Sequence, residues 1–241
     1  MKSAERTLEL FEAFATVQKS LTLSELARQM GIPVSTCFGL VRTLESRGYM
    51  YAIKPRGGFY PTKRLLDLAR TIAEHDPVLE RIEPVLKELR DKTGETVTLA
   101  KRQGHKIVYL DVFESPQLIR YSPQAGEFRS LYTSSGGKAI LGSLAANVRE
   151  ELLAGVRLRK FTPASLTTRK ELEADIEQSQ QRGWYSNFGE VVPDLMAVAI
   201  PVQLNGDWYG VSIVGPIHRM QPELEKCLQA LRQAGGELAG G

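Results

Sequence analysis

Ser135 and Lys138 stand in an S-x-x-K arrangement. Serine acyl-enzymes of the β-lactamase type use that spacing, because a helix then brings the amine beside the hydroxyl. The partner motifs of that chemistry are missing. No S-D-N occurs, and the letters K-T-G, in "DKTGE" at 91–95, lie upstream of Ser135 at a predicted helix end. The stretch "SGGK" also fails the G-x-x-x-x-G-K-[ST] spacing of a phosphate-binding P-loop. His75, His105 and His218 are scattered, and Cys37 and Cys227 lie far apart in apolar helical settings. Neither metal-ligand spacing nor a disulfide framework results. An acyl hydrolase is thus a remote alternative, and the expectation is a non-enzyme with no metal and no cofactor.

Two other clusters suit binding rather than bond making. "TSSGGKAIL", 133–141, places Ser134, Ser135, Gly136 and Gly137 at the start of a predicted helix. Exposed amides and a helix dipole there attract an anion. The same residues are also what an ordinary helix cap requires, so spacing alone leaves both readings open. The second cluster lies in "PVSTCFGLVRTLES", 33–46. Val34, Cys37, Val41 and Leu44, with Leu40 beside them, recur at helical spacing and form a predicted buried stripe. Ser35, Thr36, Phe38, Gly39 and Arg42 are left facing outward. Ser35 and Thr36 in the first turn suit phosphate or base-edge hydrogen bonds. Phe38 can pack on a thymine methyl or serve as an interface residue, and Arg42 can reach a phosphate or a guanine. Gly39 in mid-helix costs about 1 kcal/mol relative to alanine, so either the backbone approaches DNA there or the position has drifted.

These clusters need elements to hold them. Residues 4–16 read as a helix with Leu8, Phe11 and Ala15 on one face and Phe14 beside them. Thr22 and Glu25 form a capping box before a short helix that stops at Gly31. Pro33 opens the next helix, which ends before Gly48. "YMYAIKPRGGFYPT" then reads as two strands around a Pro-Arg-Gly-Gly turn. Lys54, Arg56, Lys63 and Arg64 flank that wing and would follow a DNA backbone. Two helices joined by a tight turn and a basic hairpin describe a winged helix-turn-helix.

Charge agrees with this division. Residues 1–70 hold eleven Lys/Arg against six Asp/Glu, a net +5, while the other 171 residues carry −2. A basic head on a faintly acidic body suits a nucleic-acid partner at one end.

The predicted domains are a DNA-binding head over 1–61, a linker helix over 62–77 and a body over 78–241. The body opens with a helix interrupted by Pro84. Strand-like runs follow at "ETVTLAKRQ", "KIVYLDVF" and "LIRYSP", then helices to about residue 183. A hairpin turns at Asn205-Gly206, and a last helix spans 221–238. Strands with flanking helices predict an α+β class with a largely antiparallel sheet. No apolar run is long enough to span a bilayer, and the amphipathic, acid-containing N-terminus is not a signal sequence. The expectation is a cytoplasmic protein without a membrane partner.

"LTLSELARQMGIPVSTCFGLVRTLESRGYMY" and "GGFYPTKRLLDLA" resemble the head of the IclR family of bacterial transcriptional regulators. "TGETVTLAKRQGHKIVYLD", "TSSGGKAIL", "RGWYSN" and "MAVAIPVQLNGDWYGVSIVGP" resemble that family's effector domain, in the same order. The resemblance covers nearly the whole chain. It implies a GAF-like α/β effector-binding domain with a pocket over its sheet, and a ligand-responsive regulator, a repressor of a catabolic operon, that answers to a small organic acid. It also implies a double-stranded operator as partner, a homodimer joined through the first helix and 62–75, and a dimer of such dimers. The alternative is a constitutive DNA-binding protein whose body only oligomerises.

Carried over position by position, the effector residues are Ser134, Ser135, Gly136, Gly137, Asn187, Ala197, Ser212 and Val214. Relatives that hold glyoxylate-like acids tend to have acidic or cysteine residues at Asn187 and Ala197 and a second serine at Val214. The pocket is therefore expected to be less polar, for a larger aromatic or aliphatic carboxylate. Phe38-Gly39 likewise replaces the basic or histidine-arginine pair of many members, so no operator sequence carries over.

Overall fold

A computed structural model describes residues 2–53, 57–76 and 79–239. It divides into two compact units, 1–76 and 77–241.

The first unit has the helices α1 (Lys2–Val17), α2 (Leu23–Gln29) and α3 (Val34–Ser46), the antiparallel pair β1 (Met50–Ile53) and β2 (Gly58–Pro61), and the helix α4 (Arg64–Glu74). Thr22 caps α2 as expected. Its Oγ1 accepts from the Glu25 amide at 3.3 Å, and the Glu25 carboxylate accepts from the Thr22 amide at 2.8 Å. Gly31 and Gly48 take positive φ after α2 and α3, a conformation that costs glycine little. Pro33 sits at the N-cap of α3.

The buried face of α1 differs from the expected one. Leu10, Ala13 and Phe14 enter the core, whereas Leu8 is 65% exposed and Ala15 is exposed. Both triplets satisfy helical spacing, and packing against α2, α3 and β2 selects the one that includes Phe14, whose ring meets Tyr60 edge-on at 5.7 Å. In α3 the stripe is Cys37, Val41 and Leu44. Val34, expected within it, is exposed in the first turn of the helix.

The second unit is a six-stranded antiparallel sheet in the order β5-β4-β3-β8-β7-β6. Its strands are β3 (Thr96–Gln103), β4 (Lys106–Phe113), β5 (Phe128–Ser130), β6 (Tyr185–Phe188), β7 (Leu195–Leu204) and β8 (Asp207–Pro216). On one face lie α5 (Leu79–Thr93) and α10 (Leu224–Ala239), packed on Val97, Leu99, Val198, Val211 and Ile213. On the other lie α6 (Ser135–Gly142) and α8 (Arg169–Arg182). The short helices α7 (Ala146–Leu153) and α9 (Ile217–Met220) complete the unit.

Three expectations change here. The helix α5 runs through Pro84 without a break. "LIRYSP" is not a strand; it lies in an irregular segment with Leu118 and Ile119 exposed, and the edge position belongs to β5 instead. The strand β6 follows "RGW" where none was expected. The β7–β8 hairpin turns as predicted at Asn205 and Gly206, both with positive φ.

Alternation along the strands makes the two faces unlike. Even positions of β3 and β8 and odd positions of β7 point towards α6, and in the middle of the sheet these are small: Thr98, Ala100, Gly210, Ser212, Ala197 and Ala199. The first turn of α6 therefore lies close on β8. A Cβ on Gly210 would stand 2.5 Å from the Gly136 carbonyl oxygen.

Candidate functional site

The outer side of α3 is a contiguous polar rim. Ser35, Phe38, Gly39 and Arg42 are exposed and Thr36 is half-buried. Phe38 is 51% exposed, unusual for a large apolar side chain, and the Arg42 guanidinium lies 5.9 Å from its ring centre. Arg42 also pairs with Glu45 at 3.0 Å, a surface pair that contributes little and leaves most of the fork free. Lys63 is exposed ahead of α4, and Arg64 stacks on Tyr49 at 5.2 Å. Lys54 and Arg56 lie outside the described residues. Arg47, exposed at the end of α3, extends the rim, and sequence reasoning passed over it.

The second site is a small cavity of about 100 Å³ over the small-residue face of the sheet. Seven of the eight expected effector positions meet there: Ser134, Ser135, Gly136, Asn187, Ala197, Ser212 and Val214. Gly137 does not line it. Its amide donates to Ser134 Oγ at 3.1 Å, and its Cα side faces Leu131. The cap therefore uses the third amide of α6 and leaves those of Ser135 and Gly136, which have no carbonyl to meet in a first helical turn, at the cavity wall.

Several walls were not foreseen. Val191, Val192, Leu195 and Met196 make one side apolar, while Tyr109, Tyr121 and Arg129 form the opposite end. Val191 and Val192 come from a loop, Tyr121 from an irregular segment and Arg129 from the edge strand β5, none of which shows a motif, while Tyr109 lies on β4 and Leu195 and Met196 on β7. Alternation of β4 in a correctly registered sheet could have flagged Tyr109.

A buried ionic cluster adjoins Asn187 of the cavity through Glu190. The Lys138 ammonium, fully buried, lies 2.6 Å from Glu190, 3.0 Å from Asp175 and 3.0 Å from the Ser186 carbonyl. Glu190 in turn donates its amide to Asn187 Oδ1 at 2.9 Å, and Asn187 Nδ2 donates to the Thr133 carbonyl. The lysine that completes S-x-x-K thus holds the loop that brings Val191 and Val192 to the cavity, and its amine is engaged by carboxylates. Burial holds the Glu190 carboxyl above its ordinary value, with Lys138 pulling the other way.

A basic helix-turn-helix rim, followed in the same chain by a sheet domain with a cavity at the start of a capped helix, defines a two-domain DNA-binding regulator. The IclR helix-turn-helix model matches residues 3–52 and the bacterial transcriptional regulator IclR C-terminal model matches residues 70–239. The chain belongs to the IclR family of bacterial transcriptional regulators. It is 27% identical to the transcriptional repressor IclR of Escherichia coli over 224 residues, 91% of this chain and 82% of that one. Over 244 residues it is 28% identical to the HTH-type transcriptional regulator BhcR of Paracoccus denitrificans, 100% of this chain and 87% of that one. The IclR of Thermotoga maritima superposes with a TM-score of 0.84 at 23% identity, covering 100% and 98% of the two chains. An IclR homologue of Microbacterium hydrocarbonoxydans, solved in complex with 4-hydroxybenzoate, gives a TM-score of 0.76 at 19% identity and covers 98% of each chain. The relatives are regulators of transcription and not enzymes. Among the described residues no helix is long and apolar enough to cross a membrane.

Proposed function

We propose that the protein is an effector-responsive repressor of a catabolic operon. It binds a two-half-site operator as a homodimer, through Ser35, Thr36, Phe38, Gly39 and Arg42 of α3 and the basic residues Lys54, Arg56 and Lys63. It releases or rearranges on that DNA when a small organic acid enters the cavity. The observation that carries the sensing half is the pair of free amides at Ser135 and Gly136, set over a floor of small residues inside a cavity. A carboxylate there meets two N–H donors and the positive end of α6, with Ser212 at the floor.

Val191, Val192, Leu195, Met196 and Val214 favour an aromatic or aliphatic acid over glyoxylate or pyruvate. The homologue that carries 4-hydroxybenzoate supports that size class. Dimer formation is supported by α4, which buries none of its residues and exposes Leu65, Leu66, Leu68 and Ile72. An isolated helix of 11 residues is marginal in water, so this face calls for a second copy. A ligand shifts DNA affinity only by binding two arrangements unequally, and the segment containing α4 joins head to body in the chain.

Fluorescence anisotropy with DNA from upstream of its own gene, across a salt series and with a nonspecific duplex as control, tests the proposal. Specific binding that weakens steeply with salt, and that benzoate-like acids alter more than glyoxylate or pyruvate, is the expected result. Specific binding that no acid alters, with no thermal shift from any of them, would leave a constitutive DNA-binding protein. Spin-label distances between the two heads that stay fixed on ligand addition would exclude α4 as the lever.

A further inference from the structure

The cavity has a second polar end. Arg129 sits on β5, the edge strand, in register with Ile107 of β4, and so faces the α6 side of the sheet. The strand β4 carries a bulge opposite Leu99 and Ala100. Tyr109, two residues from Ile107, faces the same side by strand alternation, and the register shift brings Val112 to that side as well; bulges commonly re-aim side chains in this way. The third member, Tyr121, is held by its own carbonyl, which accepts from Thr96 Oγ1 at 2.6 Å.

These three side chains make a donor group. Arg129 Nε donates to Tyr121 Oη at 3.2 Å, one terminal nitrogen donates to the Phe128 carbonyl at 3.1 Å, and the other pairs with Glu127. A guanidinium has five N–H bonds, so two remain unused. Tyr121, accepting from Arg129, keeps its own hydroxyl proton to give. Burial pushes the Tyr109 phenol far above its ordinary value, so it stays protonated, and its hydroxyl is hydrogen-bonded to that of Tyr121, which it helps to hold in place.

This end is well separated from the first. From β5 to β8, which carries Ser212, is three strand steps, about 14 Å at the usual interstrand spacing. Val214 and Met196 line the same cavity.

We infer that the effector is a two-ended acid: one carboxylate meets the first turn of α6, and a second carboxylate, across an apolar spacer, is read by Arg129, Tyr121 and Tyr109. The inference rests on the effector-binding reading above. A planar fork with two free N–H bonds favours a carboxylate over a lone hydroxyl, because it can meet both oxygens.

Calorimetric titration of the full-length protein with matched pairs, hexanoate against adipate and benzoate against terephthalate, tests it. Each diacid is expected to bind at least tenfold more tightly than its monoacid. Arg129→Met should bring the diacids to the monoacid level without weakening the monoacids, and Tyr121→Phe, which removes only a hydroxyl, should remove part of the difference. Equal binding of monoacids and diacids would overturn the inference and leave the effector reading standing. So would an Arg129→Met variant that weakens both members of each pair alike. Failure of every acid to bind the folded protein would overturn both.

Discussion

The helices α4 and α6 both contain leucine and isoleucine, and their surroundings are opposite. All eight residues of α6 are buried, Lys138 included, whereas none of α4 is. The chain itself supplies everything around α6: glycines that let it lie on β8, a serine that caps it, and two carboxylates for its lysine. For α4 the chain supplies an amphipathic face and no cover. A helix whose environment is complete is a fixed wall for a binding site. A helix with an open apolar face takes its environment from another molecule, and its stability then depends on association.

The comparison is sharpest at Lys138. Lys138→Met leaves Glu190 and Asp175 without their buried counter-charge, and breaking such a pair typically costs about 3–5 kcal/mol. Urea unfolding of the body is expected to register that loss. The pH dependence has a definite sign. Because burial holds the Glu190 carboxyl above its ordinary value, folding favours its protonated form. Its stabilising contribution is complete below the ordinary carboxylate value and declines as pH rises through the raised one. Glu190→Gln should flatten that decline in stability measured from mildly acidic to neutral pH.

A smaller effect is expected at Gly210→Ala. The new methyl would press on the Gly136 backbone, and overpacking of this kind costs about 1–3 kcal/mol. Acid binding should weaken as well, since the two free amides of α6 would be displaced. A normal melting temperature with unchanged acid affinity would show that α6 is not a fixed wall.

Thr168→Ala removes the hydroxyl that accepts from the Glu171 amide at 3.2 Å at the start of α8. A lost cap of this type costs about 1 kcal/mol, readable as a modest shift in the thermal melt. It should leave acid affinity intact, because α8 carries Asp175 but no cavity wall.

The smallest effect on folding belongs to α4. Leu68→Asp with Ile72→Asp changes exposed positions, so the stability of the isolated chain should move by no more than about 0.5 kcal/mol. Sedimentation should nevertheless shift towards monomer, and operator affinity should fall. A large loss of folding stability with unchanged sedimentation would place the cover of α4 within its own chain and remove the contrast with α6.

Much of the head was legible because its signals are local. The Thr22–Glu25 box, the glycines after α2 and α3, and the Cys37–Val41–Leu44 stripe are each fixed by a few adjacent residues. The buried face of α1 was not legible in this way. Leu8–Phe11–Ala15 and Leu10–Ala13–Phe14 are equally good helical stripes, and only the position of α2, α3 and β2 distinguishes them. In the body, the Asn205-Gly206 hairpin and the start of α6 were legible for the same local reason. The seven cavity residues matched to the family lie on those motifs or on β6.

What the sequence determined by itself is therefore the inventory: a basic helix-turn-helix head, an antiparallel α+β body, and a capped helix start suited to an anion. Only the tertiary structure decided that Gly137 is spent on the Ser134 cap and that Lys138 serves a buried loop anchor rather than a nucleophile. It also decided that Arg129, Tyr121 and Tyr109, from three separate segments, close one cavity. The reason is physical. Caps, turns and helical stripes are interactions over about four residues, whereas a cavity wall is set by strand register across the sheet, where the pairing of Ile107 with Arg129 puts Arg129 and Tyr109 on one face.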